Sequence, residues 1–170
     1  MITIISGTNR KNSVSSEVAK AYAELLNKQG ILNQILDLQD LPNDFMFSAL
    51  YGQVNEDFQK LVKRFIYDSS ALVIISPEYN GSYPGVLKSF IDGWDRRLLN
   101  NQKVGLVGVA SGRQGNSRGM DHLSAVLNYI GLTIVPSLIP ISLIDGLLNE
   151  DKKLTDKSTL DVLAKQIEML

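Results

Sequence analysis

Short apolar runs alternate along the chain with longer segments in which apolar residues recur every three or four positions. Five runs have the length and character of buried strands: residues 2–6, 31–38, 70–76, 103–110 and 132–135. The helical period predicts five helices: residues 13–29, 55–66, 84–98, 118–130 and a last one from residue 156. Residues 39–54 follow neither period and are expected to be irregular. The alternation indicates an α/β protein with a parallel sheet between two layers of helices.

The strand order is inferred from chain length and from the hydrophobicity of the strands. Residues 70–76 are almost continuously apolar, which is typical of a central strand covered on both faces. A five-stranded parallel sheet of this length favours the flavodoxin-like order 2-1-3-4-5 in a three-layer sandwich. No linker or internal repeat divides the chain, so residues 1–170 are expected to form a single domain. The helix over 84–98 should turn one face inward: Leu87, Phe90, Ile91, Trp94 and Leu98.

The longest uncharged run covers residues 123–144 and has a membrane-spanning length. Gly131, Pro136 and Pro140 interrupt it, so we expect an edge strand and a connection that pack inside the domain or against another subunit. The N-terminal residues lack the basic flank and cleavage site of a signal peptide, which predicts a cytoplasmic protein.

Composition narrows the chemistry further. Lys and Arg total 17 and Asp and Glu total 18, so the net charge of −1 gives no general reason to expect nucleic acid or a membrane surface as partner. A small-molecule substrate is favoured instead. The absence of cysteine and the single histidine, His122, exclude a thiol nucleophile, a cysteine-based metal site and a multi-histidine metal site.

Three loops that follow predicted strands carry the candidate chemistry, because ligands of such sheets bind at the carboxyl ends of the strands. The first loop, residues 6–15, places hydroxyls and cations before a helix N-terminus, as a phosphate requires. A plain polar turn with a helix cap is the alternative. Neither a G-x-G-x-x-G sequence nor a P-loop sequence follows the first strand.

The second loop, residues 76–85, combines two prolines, an Asn80-Gly81 turn and the flat rings of Tyr79 and Tyr83. It is suited to holding a planar heterocycle, although a rigid turn with surface tyrosines is the simpler alternative. The third loop, residues 111–119, is rich in glycine and polar side chains and is placed to close over the other edge of such a ring.

Residues 77–92, Pro-Glu-Tyr-Asn-Gly-Ser-Tyr-Pro-Gly-Val-Leu-Lys-Ser-Phe-Ile-Asp, closely resemble the signature of the NAD(P)H-dependent FMN reductase family. The loop over residues 7–15 is similar to that family's phosphate loop, Gly-Ser-x-Arg-x-x-Ser, with Thr8 in place of the usual serine. The resemblance spans nearly the whole chain. It implies a flavodoxin-like fold, FMN as cofactor, and NADPH or NADH as electron donor.

The resemblance also implies roles for individual residues. The phosphate is expected at Thr8, Arg10, Ser13, Val14 and Ser15. The isoalloxazine and ribityl groups are expected along Pro77, Glu78, Tyr79, Asn80, Gly81 and Ser82, with Ser111 and Gly112 at the far edge. Many relatives have further glycines where this chain has Arg113, Gln114, Asn116 and Ser117. Arg118 and His122 match the family and are expected to be structural or interfacial.

The implied reaction passes a hydride from NAD(P)H to FMN and then electrons to a small acceptor: a quinone, an azo compound, free flavin or a metal oxyanion. The two steps form a ping-pong mechanism, and because the flavin carries the chemistry no catalytic residue is assigned. Ser82 and His122 have no neighbours in sequence that suggest a triad. Arg113 is a candidate contact for the nucleotide that would favour NADPH, and Tyr83 is a candidate substrate contact.

Two alternatives of other classes stay open: a flavodoxin-type electron carrier and a flavin-binding regulator without significant NAD(P)H turnover. The nearly neutral charge argues against a carrier, since strongly acidic surfaces help such proteins dock on basic partners. A phosphoacceptor signalling domain is excluded because Ser6-Gly7 and Ser76-Pro77 stand where it needs acidic residues. The resemblance and the run 123–144 together predict a homodimer or homotetramer.

Overall fold

A computed structural model describes residues 1–52, 55–99 and 101–170 and contains one parallel sheet. Its strands are β1 Ile2–Ser6, β2 Asn33–Asp37, β3 Ala71–Pro77, β4 Lys103–Val109, β5 Thr133–Ile134 and β6 Ile139–Ile141. The path β2-β1-β3-β4-β5 confirms the predicted order. The fifth position is shared, because β5 pairs with the start of β4 and β6 with its end. The predicted strand over 132–135 therefore corresponds to β5 only, and β6 was not predicted.

Helices cover both faces of the sheet. They are α1 Val14–Lys28, α2 Phe45–Ser48, α3 Glu56–Val62, α4 Gly85–Asp92, α5 Ser117–Tyr129 and α6 Lys157–Ile167. Three of them begin at side chains that accept a hydrogen bond from the first turn: Ser13 for α1, Asn55 for α3 and Asp156 for α6. The short α2 lies within residues 39–54, which the sequence predicted to be irregular; Gln53 and Val54 of that segment lie outside the described residues.

The alternation of side chains along the strands divides the core into two layers. Ile4 faces α1 and α6, whereas its neighbour Ile5 faces α3, α4 and α5. Tyr22 of α1 is the largest fully buried side chain on the first side, and Phe58 and Phe90 pack edge to face on the second, with ring centroids 6.0 Å apart. Both faces of the sheet are thus buried, as the continuous apolar strands predicted.

The inward face predicted for residues 84–98 is wrong at its end. The helix α4 ends at Asp92 with Gly93 as its C-cap, where a Cβ would lie 2.7 Å from the ring of Phe58. Trp94 is still buried, but Leu98 sits in a separate 3-10 turn and is 49% exposed. Asp95 caps this turn, and its side chain accepts a hydrogen bond from the Arg97 amide.

The uncharged run over residues 123–144 packs inside the chain. It forms the inner face of α5 and then β5 and β6, and its large apolar side chains are mostly buried. Tyr129 and Leu143 are the exceptions, at 80% and 55% exposed. The run is therefore explained by the chain's own core and does not by itself call for a second subunit. In the described parts of the chain, no helix is both long enough and apolar enough to cross a bilayer.

Candidate functional site

The loops that follow β1, β3 and β4 meet at the carboxyl edge of the three central strands. They enclose a cavity of about 500 Å³ whose walls are Thr8 and residues 10–15, 77–79 and 109–111. Sites for small molecules and cofactors usually have volumes of about 300–1,000 Å³ and lie at this edge of an open α/β sheet. The cavity thus lies at the edge of the sheet where the sequence predicted a ligand site.

The structure brings most of the predicted site residues to this cavity. Its walls include Thr8, Arg10, Ser13, Val14, Ser15, Pro77, Glu78, Tyr79 and Ser111. The remaining predicted residues are not on those walls: Asn80, Gly81, Ser82, Tyr83, Gly112 and Arg113. The first three belong to a turn directly beside it.

The first loop is packed closely against β3. The Gly7 amide donates to the Ile75 carbonyl oxygen at 2.8 Å, and a Cβ at Gly7 would lie 2.9 Å from the same oxygen. A side chain at this position would therefore push the loop away from the sheet. The Ser13 hydroxyl accepts from the Ser16 amide at 3.2 Å and caps α1, which leaves the hydroxyl hydrogen free for a ligand.

Thr8 and Tyr79 join the first and second loops. The Thr8 Oγ1 and the Tyr79 hydroxyl lie 2.7 Å apart, and the Arg10 amide donates to the same Oγ1 at 3.2 Å. A hydroxyl oxygen accepts two hydrogen bonds and donates one. With the tyrosine as donor, Thr8 accepts twice and keeps its own hydrogen for an anion in the cavity.

Residues 79–82 form a tight hairpin turn. The backbones of Tyr79 and Ser82 exchange hydrogen bonds of 2.8 and 3.1 Å, and Asn80 and Gly81 have φ angles of 52° and 74°. These are the angles of a type I′ turn, which favours the Asn-Gly pair. The turn predicted from the sequence is confirmed.

Helix α5 holds this turn from outside. The Ser82 hydroxyl lies 3.0 Å from His122 Nδ1, and the Arg118 guanidinium lies over Gly81, 3.2 Å from where a Cβ would stand. Ser82 therefore has the partner that its sequence neighbourhood did not suggest. Among the described residues no carboxylate hydrogen-bonds to the other ring nitrogen of His122, so the pair lacks the third member of a nucleophilic triad. Its contacts fit the structural role expected for His122.

Sequence reasoning missed Asn116, which ties the third loop to the end of β3. It is buried in the left-handed conformation with φ 63°, and its Nδ2 donates to the Ser76 carbonyl at 2.9 Å and to Ser76 Oγ at 3.3 Å. A Cβ at Gly119 would collide with its side-chain oxygen. The available signal was an asparagine in a glycine-rich loop, since asparagine tolerates left-handed backbone better than most residues.

Charged residues are among those that line the cavity. Arg10, Lys11 and Lys152 line it together with the carboxylates of Glu78 and Asp145. None of the three cations has a carboxylate within 4 Å in the described parts of the chain. Lys152 and Asp145 come from the segment after β6, which the sequence gave no reason to place here. Unpaired cations and the N-terminus of the 15-residue α1 suit a phosphate.

A second cavity of about 720 Å³ adjoins the first, and the two share Lys11 and Tyr79 as walls. Much of its lining is apolar, with Phe45 and Met46 from α2 opposite Val86 from α4. The space is therefore suited to a ring-bearing molecule that must lie next to whatever fills the first cavity.

Tyr83 and Arg113 are not among the residues that line either cavity. Tyr83 packs against the core beneath α4, where burial raises the pKa of its hydroxyl above the usual value. Arg113 is exposed, and its backbone carbonyl accepts from Ser142 Oγ at 2.9 Å. Their roles toward substrate and nucleotide stay predictions.

Comparison with known proteins gives a consistent result. A family model described as NADPH-dependent FMN reductase matches residues 1–143. An FMN-dependent NADPH-azoreductase of Staphylococcus aureus is 30% identical over 151 residues, which cover 87% of this chain and 80% of the relative. A 2-hydroxy-1,4-benzoquinone reductase of a Burkholderia species is 28% identical over 138 residues, which cover 79% of this chain and 73% of the relative.

Solved structures share the fold. A flavoenzyme NAD(P)H:(acceptor) oxidoreductase, FerB, from Paracoccus denitrificans superposes with a TM-score of 0.75 at 24% identity and covers 98% of this chain and 92% of its own. A short-chain flavodoxin superposes with a TM-score of 0.62 at 16% identity and covers 99% of this chain and 93% of its own. The flavodoxin-like architecture predicted from the sequence is confirmed.

Proposed function

The chain belongs to the NADPH-dependent FMN reductase family, and from this premise we propose that it reduces small acceptors with electrons that NADPH or NADH delivers through bound FMN. Quinones and azo compounds are the acceptors we favour, because a quinone reductase and an azoreductase are 28% and 30% identical to this chain. Free flavins and metal oxyanions are further candidates. The observation that carries the proposal is the cavity that three separate loops build together, lined by hydroxyls and cations of the first loop and by residues 77–79 of the second.

The residues present fit FMN. Thr8, Ser13, Ser15 and Arg10 supply donors for the phosphate beside the N-terminus of α1. Residues 77–79 and Ser111 provide the remaining walls for the ribityl chain and the ring. When bound, FMN supplies the redox chemistry, taking up a hydride from the nucleotide and releasing electrons to the acceptor.

The protein's own contribution is to hold and orient the cofactor. The Glu78 amide donates to the Val109 carbonyl at 2.9 Å, which fixes the second loop against the end of β4. The type I′ turn at residues 79–82 and its contacts with α5 make the neighbouring wall rigid. Such preorganisation places a ring within reach of a second ring without any side chain acting as acid or base.

Small-molecule turnover, rather than electron carriage between proteins, is favoured by the adjoining cavity. It shares Lys11 and Tyr79 with the first cavity and offers apolar walls for one ring-bearing molecule. Because donor and acceptor would use the same side of the flavin site, they have to bind in turn. This supports the ping-pong mechanism.

We also propose a homodimer or homotetramer, supported by apolar side chains exposed on the segment between β2 and α3. Phe47 and Tyr51 are 85% and 87% exposed, and Met46, which precedes Phe47 in the sequence, is 45% exposed and lines the second cavity. Large apolar side chains grouped in this way usually mark an interface. Light scattering of the purified protein should show a dimer or tetramer, and a monomer at every concentration assayed would overturn this proposal.

The kinetic test varies NADPH at several fixed concentrations of 1,4-benzoquinone. Ping-pong turnover predicts parallel lines in double-reciprocal plots, and intersecting lines would contradict alternate binding.

A pair of variants tests the placement of the phosphate. Arg10→Ala removes a donor from the cavity and should raise the FMN concentration needed for half-maximal activity. Arg64→Ala removes an exposed cation beside Phe65 and should leave that concentration unchanged. Equal behaviour of the two variants would contradict the placement of the phosphate.

A further inference from the structure

The segment that follows β6 returns to the cavity as a fixed turn. The Asn149 amide donates to the Lys153 carbonyl at 2.9 Å, and the Lys152 amide donates to the Asn149 carbonyl at 2.9 Å. The Asn149 side chain accepts from the Lys153 amide at 2.8 Å. Leu148 and Leu154 pair across the base of the turn, and Leu154 is buried. Residues 149–153 are thus held in one conformation.

Lys152 stands at the position of this turn where a side chain is least favoured. Its φ is 61°, in the left-handed region where a Cβ crowds the backbone and glycine is the usual choice. A lysine at such a position destabilises the turn relative to glycine. Its charge therefore calls for a reason other than the stability of the fold.

Lys152 is one of the residues that line the same cavity as Thr8, Ser13 and Ser15, whereas its neighbour Lys153 is not. Asp145 comes from the same segment and also lines the cavity, yet no carboxylate in the described parts of the chain lies within 4 Å of the Lys152 ammonium. The ammonium is free to meet an anion beside the N-terminus of α1.

The family match ends at residue 143, so family correspondence assigns no role to this turn. We propose that Lys152 is a further FMN-binding residue, which completes the phosphate end of the cavity from the C-terminal side. Arg10 and the α1 amides would hold the phosphate from the first loop, and Lys152 would add a positive charge from the segment after β6. This inference rests on the proposed FMN site.

The test measures the dissociation constants of FMN and riboflavin with apoprotein by flavin fluorescence. Riboflavin lacks the phosphate and reports the ring and ribityl contacts alone. Lys152→Ala and Lys152→Gly should each weaken FMN binding about tenfold at low salt, the loss of one charge-assisted contact, and leave riboflavin binding unchanged. Lys153→Ala, the matched control on the same turn, should leave both constants within about twofold.

Lys152→Gly also separates binding from folding. It removes the left-handed strain, so its apoprotein should melt at or above the temperature of the wild type while still binding FMN less tightly. Unchanged FMN affinity in both Lys152 variants, or an equal loss for riboflavin, would overturn the role of Lys152. Wild-type protein that binds FMN no more tightly than riboflavin would instead overturn the phosphate site itself, which distinguishes failure of the proposed function from failure of this inference.

Discussion

Asn116 should stabilise the fold by fixing the third loop to β3. Two substitutions separate the contribution of its hydrogen bonds from that of its left-handed backbone. Asn116→Gly removes the hydrogen bonds to Ser76 at 2.9 and 3.3 Å, but glycine adopts the left-handed conformation without steric strain. Loss of buried hydrogen bonding at a partner that stays buried costs about 1–3 kcal/mol. Asn116→Ala loses the same bonds and keeps a Cβ at φ 63° without asparagine's tolerance of the left-handed region, which costs about 1 kcal/mol more than in the glycine variant. We expect the alanine variant to be the less stable of the two.

Urea unfolding of the apoprotein, followed by far-ultraviolet circular dichroism, gives the free energies of unfolding. Ser117→Ala is the matched control, since it breaks an exposed bond to Gln114 in the same loop and should change stability by less than about 0.5 kcal/mol. An alanine variant as stable as the glycine variant would refute the left-handed argument. A loss below about 0.5 kcal/mol in both Asn116 variants would refute the hydrogen-bond argument.

Three further predictions each concern one residue. The Arg97 guanidinium donates to Asp95 and lowers the pKa of that carboxyl from 3.8 to about 2, so its stabilisation is present above pH 4 and is lost as the pH falls toward 2. Asp95→Asn should therefore reduce the unfolding free energy at pH 7 but not near pH 2, and a pH-independent difference in urea titrations would contradict this. Gly7→Ala should lower both the melting temperature and FMN affinity, because its Cβ would press on the Ile75 carbonyl, and unchanged values would show that the loop yields without penalty. Arg113→Ala should raise KM for NADPH more than for NADH, and equal changes would remove its assignment to the extra phosphate.

The parts of the fold that the sequence predicted are those encoded locally. Apolar runs identified the four longer strands, and the residues after β1 and β3 carried enough turn and phosphate chemistry to locate the cavity. The Asn80-Gly81 pair specified its own turn because its backbone preference does not depend on the rest of the chain.

The parts that were missed depend on contacts between distant segments. Two short strands, β5 and β6, share one sheet edge because both pair with β4. The hydrophobic pattern of residues 123–144 does not show that this edge is formed by two strands. Asn116 acquires its role from Ser76, 40 positions earlier, and Lys152 from a turn that folds back on the first loop. From the sequence alone, such residues cannot be distinguished from other polar residues in loops, because their contacts come from distant segments.

The most direct test of the account is the absorbance spectrum of the purified protein after it has been loaded with FMN and desalted, recorded before and after anaerobic addition of NADPH and then NADH. The account predicts that flavin absorbance is retained and that at least one nucleotide bleaches it. Retained flavin that neither nucleotide reduces would contradict the reductase function, and loss of flavin on desalting at concentrations above the measured dissociation constant would contradict the FMN site.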